Sequence, residues 1–170
     1  MANRPRSSGK RPNEAPMSDP LGYFLTWTAY GTWLPGDERG WVKWHKGFQL
    51  PDVRIKAASQ ALMKEDACYL DAQQQAVVEQ TIEDHCRIRG WHLHAVNCRT
   101  NHVHVVVSAG RPPKTIRNEL KAWCTRKLNE LQAQRSAPPR EEWWTERGSI
   151  RRLDDEDSLE AAIRYVLEGQ

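Results

Sequence analysis

Residues 91–108 read WHLHAVNCRTNHVHVVVS. Two runs of apolar and β-branched residues flank Thr100-Asn101, so the stretch predicts a β-hairpin: a strand over 91–99, a turn, and a strand over 102–108. Side chains alternate across a strand. Val103, Val105 and Val107 therefore share one side, the natural core side, while His102 and His104 project together from the other.

The flanking segments are helical. Asp71 and Gln74 have the spacing of a capping box, Val78, Ile82 and Cys86 repeat every four residues, and Gly90 is a natural stop, which predicts a helix over 71–89. After the break at Gly110-Arg111-Pro112-Pro113, residues Ile116, Leu120, Trp123, Cys124, Leu128 and Leu131 fall on one face of a helix over 114–132. Upstream, the aromatic run over 23–30 reads as a strand that Gly31, Pro35, Gly36 and Gly40 bring to an end. Residues 35–70 read as a long connection with no clear strand and a short helix at 55–64. Connections of that length in a compact domain tend to be functional. Downstream, residues 143–145 and 149–153 suggest a broken fourth strand, and Ser158 reads as the N-cap of a last helix over 159–168.

Strand, helix, strand, strand, helix, strand is the split βαβ order, so the predicted class is α+β. The expected architecture is ferredoxin-like: an antiparallel four-stranded sheet covered on one face, with an extra C-terminal helix appended. Residues 1–20, rich in Pro, Arg and Ser, are expected to be a disordered basic arm, and 21–170 a single domain.

Composition narrows the function. The chain has 170 residues, no apolar run near the ~18 residues of a membrane span, and no apolar stretch at its start of the kind a secretory signal needs. Four single cysteines without a CxxC pair argue against a disulfide framework or thiolate zinc, and a reducing cytoplasm is the expected compartment. Net charge is +3 but uneven: residues 99–152 carry 12 Lys/Arg against 5 Asp/Glu, whereas 153–170 carry 1 against 6. A basic middle with an acidic end suggests a polyanion partner or an ordinary solvated surface. Eight tryptophans can serve as core, as stacking platforms for bases, or as both.

His102 and His104, one pleat apart on a strand backed by valines, can share one divalent ion; they can also be two unrelated surface histidines. His92 and His94 form a second H-x-H on the preceding strand, and His45 and His85 read as structural. On the last helix, Leu159, Ala162, Ile163 and Val166 define an apolar face, and Tyr165 falls on its flank, roughly 110° from the centre at ~100° per residue. Its ring can pack while its hydroxyl stays accessible. A phenol with a pKa of ~10 needs a cation or metal beside it to act as a nucleophile.

These pieces resemble a known family. The early aromatic strand, NHVHVVV at 101–107, the basic second helix and AAIRYVLEGQ at 161–170 are similar to single-tyrosine HUH transposases, in particular the REP-associated and insertion-sequence-type tyrosine transposases. The resemblance spans about 21–170. It implies a ferredoxin-like fold in which His102 and His104 bind Mg²⁺ or Mn²⁺ and Tyr165 is the nucleophile. The family places a Gln or Asn four residues after the tyrosine as a further ligand; position 169 is Gly here, so Gln170 is the expected ligand and Glu168 the fallback. The implied substrate is single-stranded DNA at hairpin-flanked sites, cleaved and rejoined through a 5′-phosphotyrosine, with Arg111, Lys114, Arg117 and Lys121 tracking its backbone and Trp41 and Trp44 as stacking surfaces. Both homodimers and monomers occur in the family. The alternative is an inactive or domesticated nucleic-acid-binding relative; a third reading is a small metal protein using His92, His94, His102 and His104.

Overall fold

The computed structural model describes residues 19–43 and 45–168. The expected arm over 1–20 lies outside them except for its last two residues, as do Trp44 and Gln170. Among the described residues ten elements follow one another: β1 Gly22–Thr28, β2 Trp41–Lys43, β3 Gly47–Gln49, α1 Val53–Ala61, α2 Ala72–Arg89, β4 His92–Cys98, β5 His102–Ser108, α3 Pro113–Gln134, β6 Ser149–Leu153 and α4 Glu156–Glu168. The main sheet has the order β4-β5-β1-β6, all antiparallel. That is the ferredoxin-like order, with β5 and β1 side by side at the centre.

Local chemistry sets most element ends. The Asp71 carboxylate accepts from Gln74 N, the Gln74 side chain accepts from Asp71 N, and Gly90 takes the left-handed conformation at φ 67°, closing α2 at both ends as expected. Two boundaries differ from the sequence reading. Helix α4 starts a turn earlier than expected because Asp155, not Ser158, is its cap: the Asp155 side chain accepts from Ser158 N at 2.7 Å. The connection over 35–70 contains a small hairpin, β2 with β3, whose three-residue strands are too short to show periodicity.

The core lies beneath α2 and α3. Leu25, Trp27, Val103, Val105 and Val107 from the sheet meet Val78, Ile82, Ile116, Leu120, Cys124 and Leu128 from the helices, joined by Trp143 and Trp144. Among the described tryptophans, Trp27, Trp143 and Trp144 are thus buried core residues. The sheet was expected to be covered on one face, but α4 covers part of the other. There Ala162 and Val166 bury themselves against Ala95, Val106 and Leu153, with Phe24, Leu159 and Ile163 at the margin. The physical reason is that β5 is apolar on both faces at Val106, so the second face also needs a cover.

Gly148 brings β6 against β1. A Cβ there would stand 2.3 Å from the Thr26 carbonyl oxygen and 3.0 Å from Trp27 Cβ. Gly148→Ala is therefore expected to lower stability by roughly 1–3 kcal/mol, measured by urea unfolding, because backbone at a sheet centre cannot give way.

Candidate active site

The face of the sheet that carries α4 is read from the register. His104 of β5 pairs with Thr26 of β1 and with Asn97 of β4, and His102 pairs with Thr28. Ser149 of β6 pairs with Thr26, and Arg151 with Phe24. Helix α4 lies over β4 and β5, its Val166 carbonyl accepting from Asn97 Nδ2 at 3.0 Å. The β1–β6 side of this face stays more open: Ser149 and Arg151 are exposed. The result is a trough with α4 as one wall.

Tyr165 points from that wall across β5. Its ring centroid is 5.6 Å from His104 and 5.9 Å from Phe24, and Phe24 is 5.4 Å from His104. The His102 and His104 rings are 4.6 Å apart. Tyr165 is 47% exposed and His104 only 7%. The phenol and the imidazole pair thus come together within one chain.

Hydrogen bonds orient both imidazoles. His102 Nδ1 donates to Asn101 Oδ1 at 2.7 Å, since an amide oxygen can only accept. His104 Nδ1 meets Thr26 Oγ1 at 2.7 Å. A ring that donates through Nδ1 carries its lone pair on Nε2, the tautomer that suits metal ligation. Burial pushes the His104 pKa down to about 4, with the neighbouring His102 and Arg99 adding to the effect, so the ring is neutral near pH 7. Two imidazoles oriented side by side fit a divalent ion. Among the described residues no third His, Cys, Asp or Glu completes a cluster with them, Glu168 included.

The lowered His104 pKa has a sign for stability. The unfolded chain takes up that proton near pH 6.5 and the folded chain near 4, so the contribution is fully present above the higher value and is lost as pH falls through this window. We expect metal-free protein to lose about 3 kcal/mol from this residue between pH 7 and 4. Urea titrations at both pH values should show a smaller loss in His104→Gln than in the wild type.

The other proposed residues divide. Arg111 and Lys114 are exposed at the start of α3. They lie beyond the Ser108 end of β5, roughly 20 Å along the strand from His102. Arg117 is buried, with Nη1 donating to the Gly148 carbonyl at 2.9 Å. Lys121 Nζ donates to the carbonyls of Thr145 and Glu146, and burial together with Arg117 holds its pKa down to about 8. These two were expected to track a phosphate backbone; the structure instead ties them to the segment leading into β6. On a helical wheel at ~100° per residue Arg117 falls between Cys124 and Leu128 and Lys121 at the edge of that apolar arc; only the tertiary packing shows which carbonyls receive them. Trp41 is half-buried on β2.

His92 and His94 lie at the opposite end of β5 from His102, with His94 Nε2 and Ser108 Oγ 2.7 Å apart and a β-bulge between Leu93 and Ala95. A four-histidine metal centre is therefore not assembled. Asn101 also lines a polar cavity of about 890 Å³ next to α1. Its buried carboxylate, Asp37, is held at a pKa of about 2 by Arg39 and Lys56, a permanent anion in ion pairs and so a poor acid or base. Sequence reading missed Phe24, Thr26, Asn97, Asn101 and Arg151; strand parity puts the first two on one face of β1, but nothing local says which residues oppose them.

A family model described as "Transposase IS200 like" matches residues 60–169. The chain belongs to the IS200-like transposase family. The matched span includes both imidazoles and the phenol. No curated protein matches the chain. Among solved structures, this transposase-family chain is similar to a REP-associated tyrosine transposase bound to a REP hairpin, at 12% identity and a TM-score of 0.50, over 98% of this chain and 70% of that one. A structure designated a transposase from Deinococcus radiodurans R1 aligns at 12% identity and a TM-score of 0.49, over 96% of this chain and 98% of the other. The first likeness is one of fold and agrees with the mixed α+β architecture.

Proposed function

We propose that this IS200-like transposase is a metal-dependent, single-tyrosine strand transferase acting on single-stranded DNA. The observation that carries the reading is the approach of the Tyr165 ring to His104, 5.6 Å between centroids, across the α4–β5 contact of one chain. His102 and His104 would hold Mg²⁺ or Mn²⁺ through Nε2, with Gln170 as a further ligand. Imidazole nitrogen suits Mn²⁺ better than Mg²⁺. When bound, the ion would polarise and orient the scissile phosphate.

The residues of the chain do the rest. Tyr165 Oη gives up its proton and bonds to phosphorus, the bond from phosphorus to the 3′-oxygen breaks, and that oxygen leaves as a hydroxyl, taking a proton from solvent. The product is a 5′-phosphotyrosine. A second 3′-hydroxyl attacks it, restores the phosphodiester and releases Tyr165, so no external energy source is needed. Asn101 keeps His102 in the Nδ1–H tautomer, and Thr26 anchors the His104 ring. Arg111 and Lys114 would contact phosphates, and Trp41 and Trp44 would stack on bases. Hairpin-flanked DNA is the substrate we propose, supported by the similar chain that is bound to a REP hairpin.

The test is incubation with Mn²⁺ and labelled single-stranded oligonucleotides that carry a hairpin between randomised flanks. The expected result is a denaturant-resistant protein–DNA adduct and a released strand ending in a 3′-hydroxyl. Salt-dependent binding without adduct would instead favour the inactive, nucleic-acid-binding reading.

A further inference from the structure

Arg151 stands on the open side of the trough. Leu153 of β6 packs with Val106 and Val166 on the α4 face, so by strand alternation Arg151 projects from that face as well. Its register partner is Phe24. The guanidinium carbon sits 5.3 Å from the Phe24 ring centroid, and the same ring touches both His104 and Tyr165. Phe24 thus links a cation, the nucleophile and the imidazole pair. The adjacent Arg152 is paired with Asp154, whereas among the described residues no carboxylate stands within ion-pair distance of Arg151.

The chemistry of that placement is specific. A guanidinium resting on an aromatic face is held by the ring, while its N–H groups point outward in its own plane. That edge matches two oxygens of a phosphate in a bidentate contact. Phe24 also fixes the side chain beforehand, so little freedom remains to be lost on binding. On the β1–β6 side of the trough floor, Thr26, Ser149 and Phe24 offer no positive charge to the far side of a bound phosphate.

We propose that Arg151 is the phosphate-binding residue of the trough, its guanidinium holding a non-bridging oxygen of the phosphate that Tyr165 attacks, on the side away from the imidazole pair. The proposal rests on the strand-transfer reading and deepens it by naming the second support for the charge that builds up on the phosphoryl oxygens. A donor aimed at such an oxygen typically contributes about 10²–10³ in rate.

The experiment uses the full chain, Mn²⁺ and the hairpin oligonucleotide that the wild type captures most readily from a pool with randomised flanks. Adduct formation is timed under single-turnover conditions for the wild type, Arg151→Ala and Arg151→Lys. The scissile phosphate is either normal or a single phosphorothioate diastereomer. Because Mn²⁺ tolerates sulfur, a slow diastereomer reports the protein contact rather than the metal contact. Arg151→Ala is expected to slow adduct formation by about 100-fold, with a smaller loss of DNA affinity, and Arg151→Lys to recover part of the rate. The wild type should react more slowly with one diastereomer, and Arg151→Ala should lose that preference. A rate within about twofold of wild type in Arg151→Ala, or a slow variant that keeps the diastereomer preference, overturns the proposal while leaving strand transfer intact. A wild type that forms no adduct overturns both. Arg151 is exposed on an edge strand, so the variants should fold, as circular dichroism will check.

Discussion

Tyr165→Phe is expected to abolish the covalent protein–DNA adduct, by at least about 10³-fold, while leaving the fold intact. The two halves of that expectation have separate causes. Phenylalanine keeps the ring that packs edge-on against Phe24 and His104, so the α4–sheet contact is preserved. Only the hydroxyl is lost, from a residue that is 47% exposed, and such a change shifts stability by less than about 0.5 kcal/mol. Gel analysis under denaturing conditions measures the adduct, and urea unfolding measures stability. An adduct at wild-type level in this variant would show that another residue is the nucleophile.

Removal of an imidazole should be equally severe, through a different readout. His102→Ala is expected to remove saturable Mn²⁺ binding in calorimetry together with adduct formation, since one imidazole cannot replace the pair. Asn101→Ala provides the graded control. It leaves both imidazoles in place but removes the acceptor that fixes the His102 tautomer, and such a loss typically weakens metal affinity by about 10–100-fold. If Asn101→Ala bound Mn²⁺ as the wild type does, the hydrogen bond at 2.7 Å would have no part in ligation. If His102→Ala did, the pair would not be the metal site.

Much of the fold was legible in the sequence because local rules govern it. The alternation in 102–108 separates Val103, Val105 and Val107 from the imidazoles, and the structure keeps that phase from end to end of β5. The reciprocal cap of Asp71 and Gln74 and the left-handed Gly90 are set by residues within a turn of one another. The wheel position of Tyr165 on the flank of α4 likewise follows from spacing alone, and the half-exposed ring agrees with it. Where short elements lack a period, as in β2 and β3, or where two capping residues compete, as Asp155 and Ser158 do, local reading fell short.

By itself the sequence determined the order of elements, the phase of the imidazole-bearing strand and a polar flank for the last helix's phenol, because hydrogen-bonded turns and hydrophobic periodicity act over a few residues. Only the tertiary structure decided that α4 crosses the face opposite α2 and α3, so that Tyr165 meets His104 in the same chain. Packing also supplied the carbonyls of the 145–148 segment that receive Arg117 and Lys121 and left Arg151 on Phe24 beside the phenol. These outcomes depend on strand register between residues over a hundred apart in the chain, such as Phe24 and Arg151, and on which apolar surface remains to be covered. Both are properties of the assembled sheet that no local pattern encodes.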